Sequence, residues 1–182
     1  TNSIVSDNYA TSSVGGAFIG GGGGGIVVQG LTATITHTTI ARNRLGSALV
    51  SGQGLLILAA PGVSSSVANL NYSIVADHTA GGTGAVAVLV QSGNTVNFNR
   101  GLFAGNTKNT NSDNSPTASG TFNGSGTMLS AASVGFVSPG SPNFNYDLQY
   151  GSAAKDQATG STTTLDINGR SRPFNGVSDL GA

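Results

Sequence analysis

The chain has 182 residues, seven basic and seven acidic side chains, zero net charge, and no Cys, Trp or Glu. Zero net charge excludes the basic footprint of a nucleic-acid or anionic-membrane binder, and no apolar run approaches the roughly 18 residues of a membrane-spanning segment. Twenty-nine glycines, abundant Ser, Thr and Asn, and only 8% charged residues make a poor helical composition, while 37% hydrophobic residues in a periodic pattern argue against disorder.

The first element is Ser3-Ile4-Val5-Ser6-Asp7-Asn8, an apolar stretch closed by polar turn residues. It recurs as Thr38-Thr39-Ile40-Ala41-Arg42-Asn43, Ser73-Ile74-Val75-Ala76-Asp77-His78 and Gly101-Leu102-Phe103-Ala104-Gly105-Asn106, in steps of 35, 35 and 28 residues. Units repeated every roughly 20–50 residues bury their apolar faces by stacking on one another. After the first copy, Gly20 to Gly25 reads as a flexible arm; a phosphate loop needs a following Gly-Lys-Ser/Thr and a helix, and neither is there.

An alternating strand precedes each later copy: Ala33-Thr34-Ile35, Ala68-Asn69-Leu70 and Val96-Asn97-Phe98. Period-2 alternation places Ala/Ile, Ala/Leu and Val/Phe inside and Thr34, Asn69 and Asn97 outside. A further apolar run comes earlier in each unit: Ile26-Val27-Val28, Ala48-Leu49-Val50, and Val86 to Val90. Leu55-Leu56-Ile57-Leu58-Ala59-Ala60-Pro61 lies in the long arm of the second unit, as a buried strand of a wide coil or as an apolar arm that packs on a partner.

Three strands per unit predict an all-β fold, a right-handed parallel β-helix or solenoid with an irregular C-terminal cap. Residues 1–106 form its rungs, 107–127 a surface loop or linker rich in Asn, Ser, Thr and Gly, and 128–182 the C-terminal rungs and cap.

The segments Asn2 to Asn8 and Thr38 to Asn43, with Gly-rich stretches between, resemble the repeats of large bacterial secreted β-helix proteins. Phe136-Val137-Ser138-Pro139, Asn145 to Leu148, Gly151 to Asp156, Asp166 to Pro173 and Asp179 to Ala182 resemble the closing part of such surface proteins, of the choice-of-anchor type. In that group the closing motif leads into an anchoring segment. The resemblance implies a fold and an extracellular or cell-surface location more than an activity.

Stacking would bring Asp7, Arg42, Asp77 and Gly105 into one column, at about 4.8 Å per step. Charges alternating in sign along it read as a structural ladder. As a glycosidase pair, Asp7 and Asp77 would lie roughly 9.6 Å apart with Arg42 between them, whereas inverting enzymes need about 6.5–9.5 Å with room for water. The next column, Asn8, Asn43, His78 and Asn106, reads as an amide ladder satisfying corner backbone groups. His37 is equivalent to Asn2 and Tyr72 and receives no role.

Asp166-Ile167-Asn168-Gly169 has the look of a calcium loop to which Asp156 and Asp179 could contribute, but the further carboxylates of a hand-type motif are missing and a plain turn is the preferred reading. No residue is assigned as catalytic, cofactor-binding or metal-ligating.

These features point to a non-catalytic extracellular structural, adhesive or self-assembling protein. The alternative is a polysaccharide-binding or polysaccharide-degrading β-helix protein, for which Lys108 and Lys155 lie outside the rungs and offer no base. Ice binding is set aside, because Thr32, Thr34, Thr36 and Thr38 are followed in the next unit by Val67, Asn69, Asn71 and Ser73 rather than by Thr. The expected partners are a second copy, head to tail, or the rest of a longer precursor, with a glycan as a further possibility. Thr1 falls inside a unit, so an open strand edge at that end is expected to be covered.

Overall fold

The computed structural model describes residues 1–10, 24–45, 52–79, 85–110, 120–174 and 176–182. Among them there are strands and no helix: β1 (Ser3–Ser6), β2 (Tyr9–Ala10), β3 (Ile26–Gln29), β4 (Thr32–Thr36), β5 (Thr38–Ala41), β6 (Arg44–Leu45), β7 (Leu55–Leu58), β8 (Val67–Asn71), β9 (Ile74–Ala76), β10 (Val86–Val90), β11 (Thr95–Ala104), β12 (Lys108–Thr110), β13 (Thr121–Ala131), β14 (Phe136–Ser138) and β15 (Asn145–Leu148). No helix among the described residues is long and apolar enough to cross a membrane.

The sheets are parallel except for the β14–β15 pair. One sheet has two wings. Its first wing is β4, β8 and the first halves of β11 and β13, with Ile35, Leu70, Phe98 and Gly124 in register. Its second wing is β1, β5, β9 and the second halves of β11 and β13, where Val5, Ile40, Val75 and Phe103 align. A separate four-stranded sheet runs β3-β7-β10-β12. The four repeat copies thus stack in the register that their sequences set.

Corners between the wings carry positive φ at Asn2 (52°), His37 (47°), Tyr72 (52°) and Arg100 (50°). A second corner repeats it at Asp7 (56°), Arg42 (58°), Asp77 (58°) and Gly105 (61°). Two left-handed residues per unit turn the chain twice, and the short or polar side chains common there tolerate that conformation better than β-branched ones.

One hydrophobic core joins all three strand sets: Val28, Leu55, Ile57, Val88 and Val90 from the separate sheet, Ala68, Leu70, Val96 and Phe98 from the first wing, Ile40, Val75 and Phe103 from the second. A second core lies on the other face of the second wing. There Ala41, Ile74, Ala76, Leu102 and Ala104 pack against Val134, Phe136, Tyr146, Ala154, Ala158 and Leu180. Burial on both faces explains why β9 is apolar throughout instead of alternating, and why β5 buries Thr38 and Thr39 together with Ile40 and Ala41.

Three expectations change. The third strand of the second unit is β7, paired with β3 and β10, so Leu55–Leu58 is the buried strand of its first reading and takes the place expected for Ala48-Leu49-Val50, which lies outside the described residues. Within 107–127, expected as a loop or linker, Lys108–Thr110 and Thr121 onward are strand paired to β10 and β11, and 111–119 lies outside the described residues. Finally, among the described residues beyond β13, β14 and β15 pair with each other and not with the parallel sheets. The chain folds back along the outer face of the second wing, because Ile74 and Leu102 point outward there and need an apolar cover.

Candidate functional site

The column Asp7, Arg42, Asp77, Gly105 stands at the second corner. Arg42 Nε donates to Asp7 Oδ1 at 2.9 Å, and the Tyr146 hydroxyl donates to Asp7 Oδ2. Burial, with the Asp7 bond, pushes the Tyr146 pKa up to about 12. Asp77 is held less firmly: burial raises its pKa, the nearby Arg42 charge lowers it, and Asp77 is in none of the ion pairs found among the described residues. Its carboxylate packs where a side chain at position 105 would stand, which fits Gly105 at that corner. Both Asp7 oxygens are thus committed, one to Arg42 and one to Tyr146. The Arg42–Asp7 pair is partly solvent-exposed, so Arg42→Ala is expected to cost under about 1 kcal/mol in chemical denaturation.

The neighbouring amide column is built as the sequence suggests. Asn43 Oδ1 accepts from Asn8 N (3.1 Å) and Asn8 Nδ2 (2.8 Å), while Asn43 Nδ2 donates to Val5 O (2.8 Å). Two steps on, Asn106 Oδ1 accepts from His78 N and from His78 Nδ1, both at 3.0 Å, and Asn106 Nδ2 donates to Val75 O (2.9 Å). Close backbone shields the column: a Cβ at Gly25 would come 2.9 Å from Asn43 Nδ2, and one at Gly54 equally near the His78 ring. Gly25 is thus a packing residue and not part of a loose arm; Gly20 to Gly23 lie outside the described residues. Asn43→Ala leaves the Val5 carbonyl and Asn8 amide without these partners, and is expected to cost about 1–3 kcal/mol in urea unfolding.

His37 gains partners that its repeat position does not announce. It is buried, its ring stacks on Tyr72 at 5.1 Å, and it meets Ser161 and Arg172 from the C-terminal part. Contacts 124 and 135 residues apart in sequence leave no periodic signal.

The Asp166 turn is closed by its own backbone. Asp166 Oδ1 accepts from Asn168 N and Arg170 N, each at 2.8 Å, and Oδ2 accepts from Arg170 Nε at 2.8 Å. Asp179 Oδ1 accepts from Asp156 N (2.8 Å). Among the described residues no three His, Cys, Asp or Glu side chains come together as a metal set. Lys108 opens β12 in register with Val86, inside the stack and not beyond it, and Lys155 sits over the Tyr150 ring at 5.0 Å.

The first wing's outer face is uncharged. Thr32, Thr34 and Thr36 are followed by Val67, Asn69 and Asn71, then Thr95, Asn97 and Asn99, then Thr121, Asn123 and Ser125. Asn97 Nδ2 donates to Asn69 Oδ1 (2.8 Å) and Asn123 Nδ2 to Asn97 Oδ1 (2.9 Å), a side-chain ladder running across the strands. Searches against protein-family models, curated proteins and solved structures return no match to this chain.

Proposed function

We propose that the chain is a right-handed parallel β-helix with its C-terminal part laid along one flank, and that it is a non-catalytic structural or adhesive protein of the bacterial cell surface or extracellular space. The parallel, in-register repeats support the coil, and crossovers between parallel strands are almost always right-handed. The observation that carries the functional reading is where the polar side chains are spent. Asp7, Arg42, Asn43, Asn106 and Asp166 are hydrogen-bonded to corners and turns of the chain itself, so they serve the scaffold.

Assembly with a second copy or with the rest of a longer precursor fits the strand edges. Among the described pairings β1 is bonded to β5 alone and β13 to β11 alone, and such edges invite a further strand. The polysaccharide-binding reading rests on a different observation, the uncharged Asn and Thr face of the first wing, whose amides match sugar hydroxyls in hydrogen-bonding type.

The test is incubation of the purified chain with a panel of neutral and acidic polysaccharides, reading both product release and retardation in affinity gels. No release is expected from any of them. Cleavage that Asp77→Asn abolishes would overturn the non-catalytic reading. Retardation by a neutral glycan without cleavage would move the assignment to the binding alternative.

A further inference from the structure

His37 sits at a left-handed corner between β4 and β5, with no solvent exposure, at the point where the C-terminal tail crosses the second wing. Arg172 Nη1 lies 2.6 Å from His37 Nδ1. A guanidinium only donates, so Nδ1 is the acceptor and the ring is neutral with its proton on Nε2, which donates to Ser161 Oγ at 2.6 Å. The Gly181 carbonyl, 3.2 Å from Nδ1, is then served by Arg172 Nη1 at 3.1 Å; the same nitrogen reaches the Asp179 carbonyl at 3.3 Å. The neutral imidazole thereby bonds two points of the tail, Ser161 and Arg172, and through Arg172 it fixes a third, Gly181.

What these bonds hold down is apolar. Gly181 lies so close over the wing that a Cβ there would come 2.7 Å from Ile74 Cδ1 and 2.6 Å from Thr39 Oγ1, and Leu180 is buried in the second core. Gly181 N donates to Tyr72 O (2.8 Å) and Ala182 N to Thr39 Oγ1 (3.2 Å).

We propose that His37 is an acid-operated latch, whose protonation releases the tail carrying Ser161, Arg172 and Gly181 and uncovers Ile74 on the outer face of the second wing. A proton on Nδ1 removes the acceptor that Arg172 uses and sets an imidazolium against a guanidinium. The charged and titratable groups around the ring are Arg172 and the Thr1 amino group, which both oppose a second positive charge, and Tyr72, whose ring stacks on it. Asp179 presents its carbonyl to this site, and its carboxylate, which accepts from Asp156 N, attracts the Arg172 guanidinium and offsets part of the charge there. Asp166 and Arg170 act on Arg172 with opposite signs. Burial and Arg172 hold the His37 pKa down to about 4 in the docked state.

Hydrogen exchange on the whole chain at about pH 7 and about pH 4.5, corrected for intrinsic rates, tests the latch. With the ring titrating near 6.5 once released, tail opening is expected to increase roughly 60-fold between about pH 7 and about pH 4.5. Amides of Gly181 and Ala182 should lose protection while those of β8 and β9 keep theirs. His37→Asn, the residue already accommodated at the equivalent corner Asn2, should reduce the pH response to within about twofold, whether its tail docks well or poorly. Arg172→Gln should shrink it from the other side of the contact. Equal tail exchange at both pH values, simultaneous opening of tail and strands, or a pH response that survives in both variants would overturn the proposal.

Discussion

Phe98→Ala is expected to destabilise the chain by about 3–5 kcal/mol, the largest effect of any single truncation in the inner core. Phe98 is fully buried, aligned with Leu70 on one neighbouring strand, and edge-on to Phe103 at a centroid distance of 5.3 Å. Its neighbour Gly101 sharpens the expectation. A Cβ at position 101 would fall within the Phe98 ring, so the ring fills the space that a side chain would take. The other repeats pair a smaller core residue with a larger one three positions on: Ile35 with Thr38, Leu70 with Ser73. Phe98 with Gly101 is the same volume divided differently. Gly101→Ala is therefore expected to be destabilising by about 1–3 kcal/mol through overpacking. The double variant Phe98→Leu with Gly101→Ala should recover part of that loss. Urea unfolding of Phe98→Leu, Gly101→Ala and the double variant checks this, and additive losses would contradict the shared-space account.

Acid should weaken the fold through His78 in particular. The ring is fully buried, donates from Nδ1 to Asn106, and has no hydrogen-bond partner for Nε2 among the described residues; burial pushes its pKa down to about 4. Below the unfolded value of 6.5 the unfolded chain takes up a proton that the folded chain refuses until about pH 4. Stability is accordingly expected to fall as pH drops through that window, by roughly 3 kcal/mol in total from this residue, and to be independent of it above. His37 titrates in the same direction. His78→Asn restores the residue found at Asn8, Asn43 and Asn106 and removes the titrating ring. It should lower stability at neutral pH, through lost volume, yet flatten the dependence between about pH 6.5 and pH 4. An unchanged slope in urea midpoints across that window would contradict this assignment.

The repeat was legible because stacking forces equivalent residues into columns. Ile40, Val75 and Phe103, and Ile35, Leu70 and Phe98, occupy equivalent places in the repeat and are in register in the structure. The amide column was legible for the same reason, since Asn43 and Asn106 answer identical corner groups. Leu55–Leu58 was harder: Ala48-Leu49-Val50 is also apolar, and only pairing with Ile26 and Val88 distinguishes the strand. Gly124 and Gly126 masked β13, because a strand at one end of a stack is held by its neighbour's ladder more than by its own propensity. The fold-back of the tail left no pattern at all. Its bonds from Tyr146 to Asp7 and from Arg172 to His37 join positions with no common period. A hint was present in Ile74 and Leu102, apolar residues in positions that alternation assigns to the outside.

The stacking order is the claim on which the rest depends, and the absence of native cysteine makes it directly testable by disulfide formation. Thr34, Asn69 and Asn97 stand at one register position on consecutive strands of the first wing. Neighbours about 4.8 Å apart can be bridged, whereas strands two steps apart, at roughly 9.6 Å, cannot. Three double-cysteine variants are compared under mild oxidation, at positions 34 and 69, 69 and 97, and 34 and 97. The account predicts intramolecular disulfides in the first two and none in the third. Ready cross-linking of 34 with 97, or failure of both neighbouring pairs in a folded chain, would contradict it.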